Sequence, residues 1–105
     1  MKELIRDVKI LAGEEATRSM IKHPLFNSTH EGYAVIKEEI EEAQDELEEV
    51  NCTLNDVWDC TKLNYMESSM DRVKYLKQRA INLAAEAIQV AAMCDKFLNL
   101  PNEVL

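Results

Sequence analysis

Glycine and proline are scarce, with two of each in 105 residues. Sheets and tight turns need more punctuation than that, so the shortage argues against a strand-rich fold and predicts long uninterrupted helices. No stretch approaches the roughly eighteen consecutive apolar residues of a membrane span, so no membrane partner is expected. Basic residues are also few, 12 against 20 acidic ones, for a net charge of −8. That balance disfavours binding to a nucleic-acid backbone, which needs a basic stripe. It leaves room for a small phosphorylated ligand, provided that a divalent cation mediates. Cysteine is limited to Cys52, Cys60 and Cys94, which have no metal-ligand spacing and cannot all pair. The N-terminus mixes charges with apolar residues (Lys2, Glu3, Arg6, Asp7, Lys9) and so lacks a leader pattern. Together these predict reduced, small buried thiols in a cytoplasmic protein. The length suits one domain, residues 1–105, with a single modest core.

Acid is present in excess, and it is concentrated. Eight of the twelve residues from Glu38 to Glu49 are acidic and none is basic, which equals the whole net charge of the chain. Ile36, Ile40, Ala43, Leu47 and Val50 recur at helical spacing through this run, so it predicts an amphipathic helix rather than a disordered acidic tail. Nine pairs of like charges stand three or four residues apart on that helix. Their repulsion costs about 2–4 kcal/mol before screening. Such a helix is either well solvated or neutralised by something positive.

The remaining elements are read from apolar spacing and from caps. Leu4, Val8, Leu11, Met20 and Ile21 predict a first helix over residues 2–22, weakened at Gly13 and ended before Pro24. Ser28 and Glu31 make a capping box that starts the acidic helix near Thr29. That helix is expected to run to Val50 and break at Asn51-Cys52-Thr53, with Thr53 capping a segment that holds Leu54, Val57 and Trp58. A second break is expected at Ser68-Ser69, unless residues 53–98 form one very long helix. From Met70 the stripe Val73, Leu76, Ala80, Ala84, Ala87, Ala91, Cys94 and Leu98 has a 3.6-residue period, and between Ala80 and Cys94 only Asn82, Glu86 and Gln89 are polar. A helix so nearly apolar all round predicts the central element of an all-α antiparallel helical bundle, completed by oligomerisation.

On a helical wheel Glu39, Glu42 and Glu46 line one flank of the acidic helix's apolar stripe, and Glu38 lies further toward the polar side. Hard divalent cations take oxygen ligands, usually a few carboxylates together with waters and substrate phosphates. One helix can supply several such ligands at one height, and a facing helix the rest. Glu86 stands four residues from Asn82 and three from Gln89, on one face with Asp71, Gln78 and Lys96. Spacing alone leaves that face open between a solvated side and a ligand set.

The segments Asn27-Ser28-Thr29-His30-Glu31-Gly32-Tyr33-Ala34-Val35-Ile36-Lys37-Glu38-Glu39 and Glu86-Ala87-Ile88-Gln89-Val90-Ala91-Ala92-Met93 resemble signature segments of small MazG-like proteins of bacteria and phages. Those proteins are in turn similar to the all-α nucleoside-triphosphate pyrophosphohydrolase superfamily. The resemblance covers residues 26–98, with 1–25 as an N-terminal helix and linker. It implies an EExxE motif, matched by Glu38-Glu39-Ile40-Glu41-Glu42, and an ExxD motif, matched at Glu86 but carrying Gln89 in place of the aspartate.

Several expectations follow from the resemblance. Mg²⁺, or Mn²⁺ in its place, would be held by Glu39, Glu42 and Glu86, with Gln89 as a neutral fourth ligand. Glu38 would orient or deprotonate the attacking water, and it equally suits an outer ligand. The substrate would be a nucleoside triphosphate, cleaved to the monophosphate and pyrophosphate by a homodimer or homotetramer. Arg79 and Lys74 are candidate phosphate contacts, Trp58 a candidate for stacking on the base, and Asn82 a further candidate substrate contact. The alternative is a non-catalytic oligomer that binds a nucleotide or a protein partner through its acidic helix; Gln89 favours it, and the intact EExxE favours the enzyme.

Overall fold

In the computed structural model, which describes residues 1–23 and 25–101, the chain forms three helices: α1 (Lys2–Lys22), α2 (Thr29–Lys62) and α3 (Met66–Leu98). No strand occurs among the described residues. The span of α1 matches the expected 2–22, while its arrest by Pro24 lies outside the described residues. Ser28 starts α2 as expected, its Oγ accepting from the backbone N of Glu31 at 3.1 Å, a cap worth about 1 kcal/mol. The reciprocal half of the capping box is replaced. Glu31 Oε2 accepts instead from Asn27, from its Nδ2 at 3.1 Å and its backbone N at 3.4 Å.

The expected break at Asn51-Cys52-Thr53 does not occur. Thr53 lies buried in the middle of α2, and its Oγ1 donates to the Glu49 carbonyl at 2.7 Å. A threonine hydroxyl folded back on its own helix has no need to cap a new one. Nor does the chain break at Ser68-Ser69, or run as one helix from residue 53 to 98. It turns at Leu63-Asn64-Tyr65, where Asn64 takes φ 57°. Asparagine enters this left-handed region more readily than most residues, so a short turn forms without glycine.

The helices α2 and α3 form a long antiparallel hairpin that gives the molecule extents of 62 × 28 × 23 Å. Helix α1 packs on α3 alone, and no close backbone approach joins α1 to α2. The core lies at the open end of the hairpin. Ala16, Phe26, Ala92, Met93 and Leu100 are buried there, with Met20, Leu25, Val35, Ile36 and Phe97 against them. Gly32, in the first turn of α2, lies under the rings of Phe97 and Phe26.

Helix α3 faces the opposite way from expectation. Along the apolar stripe from Met70 to Leu98, only Leu76 and Cys94 are even half-buried, and the rest is exposed. Turned inward are Arg79, Asn82, Glu86, Gln89, Met93 and Lys96. The 3.6-residue period shows that a helix has an apolar face, not which neighbour covers it, and the described residues leave most of this face open. A second apolar groove, lined by Ile40, Leu47, Leu83, Ala87 and Val90, lies open along the hairpin. No helix among the described residues is long and apolar enough to cross a membrane.

Candidate metal centre

Most of the acidic run is solvated, since Glu38, Glu41, Glu42, Asp45, Glu48 and Glu49 are exposed. Lys37 pairs with Glu41 at 3.7 Å, one turn apart on the surface of α2. The exceptions are Glu39 and Glu46, half-buried on the flank that meets α3. There Glu39 and Glu42, one turn apart on α2, converge with Glu86 of α3, and one carboxylate oxygen from each lies within 4.8 Å of the others. The inward orientation of α3 makes this meeting possible, because the expected apolar stripe would have turned Glu86 away.

Three carboxylates at this separation repel by on the order of a few kcal/mol before solvent screening. Burial raises the Glu86 carboxyl above the usual glutamate range, and the charge of Glu42, a side-chain hydrogen bond with Glu42 and the charge of Glu46 push it the same way. Burial also raises Glu39, followed by the charges of Glu42, Glu86 and Glu38. Glu86 Oε2 is buried and has no hydrogen-bond partner among the described residues. A hard divalent cation answers both features, offering a positive charge to the triad and a bond to the unpaired oxygen. The donor set, all carboxylate oxygen and partly open to solvent through Glu42, fits Mg²⁺ or Mn²⁺.

The other expected site residues divide. Glu38 is exposed beside Glu39 and stands outside the triad. Gln89 Nε2 donates to Glu15 Oε1 at 2.8 Å and ties α3 to α1, a bond made through the amide nitrogen and not through the carbonyl oxygen that a cation would take. Arg79 faces inward but is taken by Glu46, with Nη2 and Oε2 2.8 Å apart. This ion pair is imperfectly aligned, since Arg79 Nε and Glu46 Oε2 make no hydrogen bond among the described residues. It closes the triad on the side toward the turn. Asn82 Oδ1 accepts from Gln78 Nε2 at 3.0 Å. Lys74 is exposed about 18 Å along α3 from Glu86, and Trp58, 60% exposed, lies about 24 Å along α2 from Glu42. Neither is brought to the triad within this chain.

Toward the open end, the triad borders a cavity of about 460 Å³ whose walls include Glu39, Gln89, Glu15, Arg18, Lys22 and Lys96. Sequence reasoning gave α1 no part in a site. The legible signal was Lys96, which repeats the face of Glu86, Gln89 and Met93 at helical spacing. The contribution of α1 became visible only with its docking on α3. No protein-family model matches the chain, and neither does any curated protein or solved structure.

Proposed function

We propose that this chain is a Mg²⁺-dependent nucleotide pyrophosphohydrolase of the cytoplasm that cleaves a nucleoside or deoxynucleoside triphosphate to the monophosphate and pyrophosphate. The observation that supports it most is the convergence of Glu39, Glu42 and Glu86 from two helices within 4.8 Å. The EExxE and Glu86 segments that resemble MazG-like proteins supply these same three carboxylates. Glu39, Glu42 and Glu86 would hold Mg²⁺, which would supply positive charge against the phosphates and make water more acidic. The Arg79–Glu46 pair keeps α2 and α3 in register beside them. Glu38, exposed one residue before Glu39, accepts the proton of the water that attacks the α-phosphorus, and the bond to the β-phosphate oxygen breaks to release pyrophosphate.

Gln89 favours a second reading, a non-catalytic oligomer that binds a nucleotide or a protein partner through its acidic helix. As an amide it brings no negative charge to the site, and its Nε2 is bonded to Glu15. Pyrophosphate release from a panel of canonical, deoxy and modified nucleoside triphosphates, with and without Mg²⁺, separates the two. The hydrolase requires Mg²⁺-dependent release that falls by about 10²-fold or more in Glu42→Gln. Absence of release from every nucleotide would leave the binding reading.

The functional unit is a homodimer or homotetramer. Its support is the apolar surface that the single chain leaves open: Leu47, Leu54, Met70, Val73 and Ile81 on the hairpin, and Leu4, Ile5 and Ile10 on α1. This much exposed apolar surface is uncommon on a monomer. Sedimentation velocity should give a mass of two or four times the 12.1 kDa chain, and Leu47→Lys, in the open groove, should shift it toward one. A wild-type chain that sediments as a monomer at micromolar concentration would overturn the assembly.

A further inference from the structure

Lys96 is a buried cation with no counter-ion among the described residues. Only 4% of its surface is exposed, and among the described residues it makes no ion pair. Its single hydrogen bond there is a long one, from Nζ to Ser19 Oγ at 3.4 Å. Its other partner is the face of Phe26, with Nζ 4.9 Å from the ring centroid. Removing an ammonium group from water is costly unless a charge or several strong acceptors replace the lost hydration. One weak hydroxyl contact and one ring do not replace it.

The cavity that Lys96 lines explains what does. Its carboxylates are already engaged: Glu15 by Arg18 and by Gln89, Glu31 by Asn27, and Glu39 by its place in the triad. Its remaining cations, Lys22 and Lys96, pair with no described carboxylate. Three carboxylates and the cations Arg18, Lys22 and Lys96 share this lining, but Lys22 and Lys96 stand apart from the carboxylates, where α1 meets the end of α3. The geometry points to an anion subsite formed by Lys96, Ser19 and Lys22, which takes a phosphate group of a polyphosphate ester. The identity of the ligand as a polyphosphate ester rests on the proposed function, whereas the anion subsite rests on the cavity and on Lys96 alone.

Sodium tripolyphosphate titrated into the full chain by calorimetry, in EDTA and in Mg²⁺, tests the subsite. Without Mg²⁺ the triad can only repel the anion, so binding in EDTA reads the basic end alone. Wild type should bind in EDTA, and Lys96→Met should raise Kd by about tenfold or more, as loss of a charge-assisted contact does, while Lys62→Met near the distant turn leaves it unchanged. If Lys96→Met does not fold, the double variant Ser19→Ala/Lys22→Met should show the same loss. Unchanged Kd in whichever of these folds, or no binding by wild type, overturns the subsite and leaves Lys96 as a support for Phe26. Lys96-dependent tripolyphosphate binding without any nucleotide hydrolysis would keep the subsite and discard the hydrolase. Hydrolysis with its KM unchanged in Lys96→Met would do the reverse.

Discussion

Glu86→Gln should make the metal-free protein more stable and the metal-loaded protein less so. In EDTA the variant removes one charge from three carboxylates held within 4.8 Å, and stability should rise by on the order of 1 kcal/mol, because solvent around the exposed Glu42 screens part of the repulsion. Saturating Mg²⁺ should stabilise wild type by about 2.7 kcal/mol at a hundredfold excess over Kd, and most of that gain should vanish in the variant. The pH dependence follows the same logic. A carboxyl whose folded-state pKa lies above its unfolded value binds more protons when folded, so its contribution is fully present below the unfolded value and lost as pH rises through the raised one. Glu39 and Glu86 are both raised from an ordinary value of 4.5. Metal-free stability should therefore fall as pH climbs from about 4.5 toward neutrality, with a shallower fall in Glu86→Gln and a shallower one again in Mg²⁺. Thermal melts across pH in EDTA and in Mg²⁺ would read all of this. A wild type that gains stability with pH in EDTA, or a variant that keeps the full Mg²⁺ response, would remove the metal centre.

Gly32→Ala and Gly13→Ala should move stability in opposite directions. Both glycines are helical, and alanine gains about 1 kcal/mol at an unobstructed helical site. A Cβ at Gly13 meets nothing within 4 Å, so that variant should gain this amount. A Cβ at Gly32 would fall inside contact distance of Phe97 Cδ2, 2.8 Å from Cε2 of the same ring and 3.0 Å from Phe26 Cδ2. Two flat rings cannot both withdraw without opening the core, and overpacking of this kind costs about 1–3 kcal/mol. Gly32 also sets how closely the first turns of α2 approach α3, two turns before Glu39. The variant should therefore weaken the Mg²⁺-induced rise in Tm as well as lower Tm itself. Equal stabilisation by both substitutions in chemical denaturation would show that the rings give way freely.

Local chemistry was legible in this sequence, and partner assignment was not. The span of α1 and the Ser28 cap were readable because apolar spacing and a hydroxyl three residues before a free backbone N–H act within one turn. The turn at Leu63-Asn64-Tyr65 escaped notice because it contains neither glycine nor proline and depends on one asparagine taking a left-handed conformation. Asn51-Cys52-Thr53 carried the composition of a break, yet Thr53 bonded back to Glu49 and α2 continued. Register placed Glu39 and Glu42 on one flank of α2, and only the resemblance to MazG-like segments joined Glu86 to them; the structure gathers all three. Gln89, Arg79 and Lys96 could not be assigned in advance, because Glu15, Glu46 and the α1 wall are distant in sequence and meet these residues only through helix docking.

The inverted polarity of α3 also redraws the map of tolerated change. In most helices a charged substitution is harmless outside and damaging inside. Here Ala84, Ala87 and Ala91 are exposed, and Arg79, Glu86 and Lys96 point in. Variation that looks conservative at the surface, such as alanine to glutamate, would fall where a bare apolar stripe is displayed. Replacing an interior charge by leucine, ordinarily a gain in packing, would erase the chemistry. Drift in descendants of this chain should therefore be freest on the exposed acidic side of α2, at Glu41, Asp45 and Glu48, and slowest on alanines that look replaceable.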